Sequence, residues 1–219
     1  KIKLSSRGER LALQRSRIVA GARNKVTMLE EVIQPYIHDK HILVYCGATK
    51  IERFEEDSSE KDDEGERQIV AVSKMLGNEL NMKVTHFTSN ESAREREYIK
   101  DAFDKADPYQ AIIAIKCLDE GVDVPRSELA IFCSSTGNPR QFIQRRGRVL
   151  RKHPDKEYAI LHDLVVVPEV GAHHNSYKME RSLLKSELAR VKNFADMSEN
   201  PSFSEMELRS ALDYYALNL

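Results

Sequence analysis

The sequence predicts an α/β protein, a doubly wound parallel sheet followed by a helical C-terminal extension. Short apolar runs alternate with helical patterns between residues 41 and 163, as in successive βαβ units. One run, Ala-Ile-Ile-Ala-Ile at 111–115, is apolar on both faces, which is typical of a buried strand in a parallel sheet. The 219 residues are 41% hydrophobic, which is enough for one large domain with an appendage.

Five apolar runs are predicted strands. They span 41–46, 83–87, 110–115, 129–134 and 158–163. Between them, a stripe of apolar residues predicts a helix over 69–80, and Ser92 with Glu95 has capping-box spacing for a second. Asn138 and Pro139 are a good N-cap and first-turn pair, so a third helix is expected to begin there and carry residues 140–151.

Helical patterns also flank this region. Residues 9–34 read as one basic helical stretch that Pro35 ends, and 175–197 place apolar residues on one face. A last helix is expected to start at Ser204, with a capping box to Glu207 and a hydrophobic staple between Phe203 and Leu208. The acidic stretch 52–66 lacks an apolar period, so we expect a mobile loop.

Composition excludes several classes of protein. No run approaches the ~18 apolar residues of a membrane span, and no signal peptide is recognisable, so we expect a cytoplasmic protein without a membrane partner. Cys46, Cys117 and Cys133 lie far apart without metal-site spacing, and the histidines form no ligand set. We therefore predict no metal ligands in this chain and expect the cysteines to be small buried hydrophobic residues.

The strongest functional signal is the segment Gln-Arg-Arg-Gly-Arg-Val-Leu-Arg at 144–151. Arg145, Arg148 and Arg151 are three residues apart, which places their guanidinium groups on one face of the predicted helix. Because like charges repel, such a row is unfavourable unless an anion lies between the guanidinium groups. The row therefore indicates a surface that binds an anion. Guanidinium forks match phosphate oxygens and keep their charge. The alternative is a basic surface helix that binds nothing.

This segment resembles motif VI of superfamily 2 helicases and translocases. Residues 114–125 resemble their motif V, and 41–47 look like motif IV. Thr88-Ser89 falls where these proteins have a motif that touches the nucleic-acid backbone. Order and spacing match over 24–168, and the wording is most similar to prokaryotic XPB-like helicases and restriction-enzyme motors. The resemblance implies a RecA-like fold of three layers and covers only the second lobe of such a motor.

The resemblance implies an ATP site at the border with a first lobe. Arg148 and Arg151 would be catalytic arginine fingers that reach the γ-phosphate. Four residues would bind or support the nucleotide, namely Gly121, Asp123, Gln144 and Arg145. The chain contains no G-x-x-x-x-G-K-[ST] segment and no convincing Walker B acids. We therefore expect the first lobe to hold most of the ATP and Mg²⁺, and the isolated chain to be inactive.

Nucleic acid is expected along the opposite rim of the sheet. The candidate residues are Gly47, Thr49, Thr88, Ser89 and Lys116. They follow the first three predicted strands, at the carboxyl edge where open α/β sheets bind ligands. Hydroxyls, backbone amides and a lysine suit phosphate oxygens, which position a strand without reading its sequence. The alternative for each Ser or Thr is a helix cap.

These observations together predict the C-terminal motor lobe of an ATP-dependent DNA helicase or translocase. We expect a basic helical linker from the first lobe over 1–23, a helicase C-terminal RecA-like domain over 24–168 and a helical extension over 169–219. The expected partners are nucleic acid, in particular DNA, and the N-terminal RecA-like lobe of the same protein. Two alternatives stay open: the motor part of a restriction or phage-defence enzyme, and a nucleic-acid-binding adaptor lobe that never hydrolyses ATP.

Overall fold

The computed structural model describes residues 5–22, 24–47, 68–115, 124, 126–134, 139–171 and 176–219. The chain divides into two compact units. The first, the α/β unit, comprises Lys1–Ser135 and Ile143–Leu164, and the second, the helical unit, comprises Thr136–Phe142 and Val165–Leu219.

A parallel sheet of five strands forms the centre of the α/β unit. The strands are β1 (Ile42–Cys46), β2 (Val84–Phe87), β3 (Ala111–Ile115), β4 (Leu129–Phe132) and β5 (Ile160–Asp163). Their order is β2-β3-β1-β4-β5, with every neighbouring pair parallel. The chain extends the sheet on both sides of β1, which is the doubly wound arrangement that the sequence predicts. All five predicted strands are confirmed.

Five helices accompany these strands, and two of their predicted boundaries were wrong. They are α1 (Ser6–Ala20), α2 (Asn24–Ile33), α3 (Gln68–Lys74, continued by a π-helical turn over Met75–Glu79), α4 (Ala93–Lys105) and α5 (Pro139–Val149). The single stretch expected over 9–34 is two helices, because the chain turns at the buried Gly21. The third predicted helix ends at Val149 rather than at 151, and Lys156 Nζ donates a 2.8 Å hydrogen bond to the Val149 carbonyl.

Helices cover both faces of the sheet and make three layers. On one face, Val44 and Ile113 belong to the same buried cluster as Leu29 of α2 and Val72 of α3. On the other face, the rings of Tyr45 and Phe132 stack 4.9 Å apart. Helix α4 packs on this second face through β2. Burial of both faces explains why the central strands are apolar throughout.

The start of α4 confirms the predicted capping box. The Ser92 N–H donates to Glu95 Oε2 at 2.7 Å, and the Glu95 N–H donates to Ser92 Oγ at 3.3 Å. These hydrogen bonds lower the pKa of Glu95. Two otherwise unpaired amides of the first helical turn are thereby satisfied.

The helical unit contains α6 (Tyr177–Ala195) and α7 (Pro201–Tyr215), with a small core around Leu184, Leu188 and Leu212. The helix expected over 175–197 is confirmed. The start expected for α7 at Ser204 was wrong, because Pro201, with its fixed φ, already occupies the first turn. Phe203 is 56% exposed, so the expected hydrophobic staple does not form.

The end of α7 is fastened to α6 by polar contacts. Arg181 donates from Nε to the Tyr215 carbonyl at 2.8 Å and from Nη2 to the Ala216 carbonyl at 3.1 Å. The Tyr215 hydroxyl donates to Glu180 Oε2 at 2.9 Å. Burial first, and the Glu180 carboxylate second, raise the pKa of Tyr215 to about 12. Carbonyls that α7 leaves unpaired at its end are thus hydrogen-bonded by α6.

Two of the three cysteines are buried as expected. Cys46 is the last residue of β1, and Cys133 directly follows the neighbouring strand β4. Hydrogen bonding to Cys133, together with burial, raises the pKa of Cys46. Cys117 and the acidic stretch 52–66 lie outside the described residues. Among the helices that the structure describes, none is long and apolar enough to cross a membrane.

Candidate functional site

Helix α5 carries the arginine-rich segment, and its burial follows a helical period. The buried residues described in this helix lie three, one and three residues apart and are Phe142, Arg145, Arg146 and Val149. Gln144 is exposed. Two arginines therefore take positions on the inward face of an amphipathic helix. The predicted row of three guanidinium groups on one helix face is thus divided, because its first member, Arg145, is buried.

Arg145 makes its contacts within the α/β unit. Its guanidinium Nη1 donates to the Ser134 carbonyl at 3.2 Å, and its Cζ lies 5.7 Å from the centre of the Tyr45 ring. Only 5% of the residue is exposed. The resemblance assigns Arg145 to the nucleotide site, and in the structure its contacts connect α5 to the carboxyl ends of β1 and β4. Its neighbour Arg146 is 6% exposed, and burial lowers its pKa.

Arg148 and Arg151 are the more accessible arginines of this segment. Arg148 is half-buried in the last turn of α5, and Arg151 is exposed just after the helix end. The Arg151 N–H donates to the Arg148 carbonyl at 3.4 Å, so the chain keeps a helical turn between them. Basic residues at this end of a helix interact favourably with its dipole. The backbone hydrogen bond keeps Arg148 and Arg151 one helical turn apart along the chain.

The end of α5 is held in place by Lys156. Its ammonium donates to the Val149 carbonyl and, at 3.1 Å, to the Ser127 carbonyl that precedes β4. Burial lowers the pKa of Lys156. This contact positions the chain segment that bears Arg151, and sequence reasoning missed it because Lys156 lies seven residues beyond the helix end.

Two of the residues predicted to bind nucleic acid, Gly47 and Thr88, lie at the carboxyl edge of the sheet. Gly47 directly follows β1, and Thr88 directly follows β2. Both strands pair with β3, Cys46 opposite Ile115 and Phe87 opposite Ala114. Gly47 and Thr88 therefore lie at the same edge, on either side of β3, as the sequence predicts.

The backbone amide of Gly47 is already hydrogen-bonded within the protein. It donates to Gln68 Oε1 at 2.7 Å, and Gln68 Nε2 donates to the Ala20 carbonyl at 3.2 Å. Gln68 is fully buried. Its carboxamide thereby joins the end of β1 to the end of α1. No sequence pattern indicated this role, because its partners lie 21 and 48 residues away.

The donors of Thr88 are also engaged. Its hydroxyl donates to Glu91 Oε1 at 3.0 Å, and its N–H donates to Glu91 Oε2. The Asn90 N–H donates to Thr88 Oγ1 at 3.1 Å. Ser89 is exposed at the same turn. The sequence placed Thr88 at this edge but did not identify Glu91 as its partner.

Four predicted site residues, Thr49, Lys116, Gly121 and Asp123, lie outside the described residues. They stay predictions. Among the described site residues, Arg145 and Arg148 lie on α5 with Arg151 just after it, and Gly47 and Thr88 lie at one edge of the sheet.

Comparisons with known proteins identify the family of the chain. The model of the helicase conserved C-terminal domain matches residues 24–153. A DNA 3'-5' translocase, XPB2, of Sulfurisphaera tokodaii is 34% identical over 148 residues, which are 68% of this chain and 28% of that protein. The chain thus spans little more than a quarter of this curated relative.

Two solved structures share the fold at low sequence identity. The T4 UvsW structure has a TM-score of 0.56 and 21% identity, covering 84% of this chain and 35% of that chain. The C-terminal part of the Fun30 ATPase domain has a TM-score of 0.51 and 14% identity, covering 89% of this chain and 55% of that chain. The chain belongs to the helicase conserved C-terminal domain family.

Proposed function

We propose that this chain is the C-terminal motor lobe of an ATP-dependent DNA helicase or translocase. The full-length protein would hydrolyse ATP with Mg²⁺ between two lobes and move along nucleic acid. The N-terminal RecA-like lobe of the same protein would hold most of the nucleotide and the metal. That the similar protein of Sulfurisphaera tokodaii is named a DNA translocase supports DNA as the track.

The observation that carries the proposal is the division of the α5 arginines. Arg145 and Arg146 are buried, whereas Arg148 and Arg151 reach the surface at the helix end. Apart from its chain neighbours and the nearby helix backbone, no described atom lies within 4 Å of where a Cβ at Gly147 would stand. Two guanidinium groups at a helix end fit the anionic oxygens of a terminal phosphate.

Arg148 and Arg151 would act as arginine fingers in this motor. Their fixed positive charges would stabilise the negative charge that develops during phosphoryl transfer. Arg145 would support them from inside by holding α5 against β1 and β4. We assign further nucleotide contacts to three other residues, Gly121, Asp123 and Gln144.

The carboxyl edge of the sheet would bind the sugar-phosphate backbone of the track. The proposed contact residues are Gly47, Thr49, Thr88, Ser89 and Lys116. Contacts of this kind fix the position of a strand without selecting its sequence. Binding by this lobe alone is expected to weaken with salt, with a log-log slope of about −0.7 for each phosphate neutralised.

The experiment compares Arg148→Ala with Lys152→Ala in the full-length protein. Both changes remove one positive charge from the same segment, and Lys152 is an exposed residue without a proposed role. We expect Arg148→Ala to lower kcat for ATP hydrolysis by about 10³–10⁵ and Lys152→Ala to leave it within about twofold. Arg148→Lys is not expected to rescue turnover, because an ammonium lacks the planar fork. Equal activity of the two alanine variants would contradict the proposal.

A further inference from the structure

Glu91 occupies the donors that the proposed function assigns to a strand phosphate at Thr88. One carboxylate oxygen accepts the Thr88 hydroxyl and the other accepts the Thr88 N–H. The two donors and the two oxygens form a closed pair at the carboxyl end of β2. A threonine hydroxyl has a single proton to donate. Thr88 therefore cannot serve a phosphate and Glu91 with that hydroxyl at the same time.

A carboxylate is a chemical substitute for a phosphate at such a place. Both present anionic oxygens that accept strong, charge-assisted hydrogen bonds from N–H and O–H donors. A phosphate that approached Thr88 with Glu91 still in place would also meet like charge at short range. Binding of the strand at Thr88 therefore requires that the Glu91 side chain leave.

The surroundings of Thr88 allow this exchange without unfolding the turn. Arg96 Nη2 donates to the Thr88 carbonyl at 3.0 Å, and its guanidinium lies 5.6 Å from the centre of the Phe87 ring. The separate capping box of Ser92 and Glu95 holds the start of α4. Because these contacts do not involve Glu91, the turn keeps them when the Glu91 carboxylate moves away.

The partner of Gly47 differs in this respect. Gln68 is fully buried and bridges to the Ala20 carbonyl, so its release would break a second contact inside the protein. Glu91 is only partly buried and can exchange Thr88 for water. Of the two acceptors that the structure describes for Gly47 and Thr88, Glu91 is thus the displaceable one.

We propose that Glu91 is an intramolecular competitor for the nucleic-acid phosphate that binds at Thr88. Its carboxylate satisfies the Thr88 donors in the free lobe and is exchanged for a backbone phosphate when a strand binds. This inference rests on the proposed function, because it needs Thr88 to be a phosphate contact. The inference predicts that the lobe binds a strand less tightly than it would if Glu91 did not occupy the donors of Thr88.

The experiment measures binding of a fluorescent oligothymidylate to the 219-residue chain by anisotropy at several salt concentrations. Glu91→Gln keeps the size of the side chain and removes its charge. The matched control is Glu97→Gln, an exposed carboxylate of α4 that is paired with Lys100 rather than with Thr88. We expect Glu91→Gln to tighten binding about threefold to tenfold at low salt.

The outcomes separate this inference from the function on which it rests. Salt-dependent binding by the unaltered chain, combined with an unchanged or lower affinity of Glu91→Gln, would overturn the competitor role and leave the proposed function standing. An equal gain in affinity for Glu97→Gln would overturn the competitor role too, since the loss of any negative charge on this surface would then explain tighter binding. Failure of every variant to bind would refute the strand site itself. Thr88→Val in the Glu91→Gln background is expected to remove most of the gain.

Discussion

The inner and outer arginines of the segment 145–151 carry the same charged group in different surroundings. The inner pair, Arg145 and Arg146, is at most 6% exposed and lies on the helix face that also buries Phe142 and Val149. The outer pair, Arg148 and Arg151, lies at the helix end and reaches solvent. Arg145 holds the helix on the sheet through the Ser134 carbonyl and the Tyr45 ring, whereas we propose that the outer pair meets a ligand. The comparison teaches that arginines close together in one segment differ in burial, so a basic segment does not by itself predict that every arginine in it is available to a ligand.

The largest loss of stability is expected when the inner Arg145 is changed. Arg145→Ala removes a charged hydrogen bond to the Ser134 carbonyl and the contact with the Tyr45 ring. Together these losses are expected to lower the free energy of unfolding by about 2–4 kcal/mol. Urea denaturation of the chain measures it. The control is Gln144→Ala, an exposed neighbour, with an expected change within about 0.5 kcal/mol. Similar values for the two variants would refute a structural role of Arg145.

A smaller effect is expected at Arg146. Burial lowers the pKa of this residue, which indicates that its charge is poorly solvated. Arg146→Met keeps an unbranched, flexible side chain, although a shorter one, and removes the cost of burying a charge. We expect the free energy of unfolding to stay within about 1 kcal/mol of the unaltered chain, in the same urea assay. A loss as large as that of Arg145→Ala would show that both inner arginines hold the helix through their charge.

Much of the α/β unit could be predicted from sequence, because its strands are short apolar runs with clear ends. β3 and β4 were placed to within two residues, since burial on both faces leaves no polar residues inside them. The start of α7 was placed wrongly. Ser204 and Glu207 have capping-box spacing, yet both lie inside a helix that already begins at Pro201.

The chemistry of the site was only partly visible in the sequence. The spacing of Arg145, Arg148 and Arg151 identified the segment, but the inward turn of Arg145 follows from Phe142 and Val149, three residues before it and four after it. Gln68 meets Gly47 only through the fold, because 21 residues separate them. Glu91 lies three residues from Thr88 and could have been found by asking which carboxylates reach the donors after β2.

The most direct test of the division between inner and outer arginines is Arg151→Ala in the full-length protein. Three quantities are measured on it: kcat for ATP hydrolysis, the nucleotide Kd and the Kd for single-stranded DNA. If Arg151 is a finger, kcat falls by about 10³ or more, while both Kd values and the melting temperature change little, since Arg151 is exposed and stabilises charge only during the reaction. Near-normal hydrolysis combined with a clear loss of strand affinity would contradict the account and assign the outer pair to the nucleic acid.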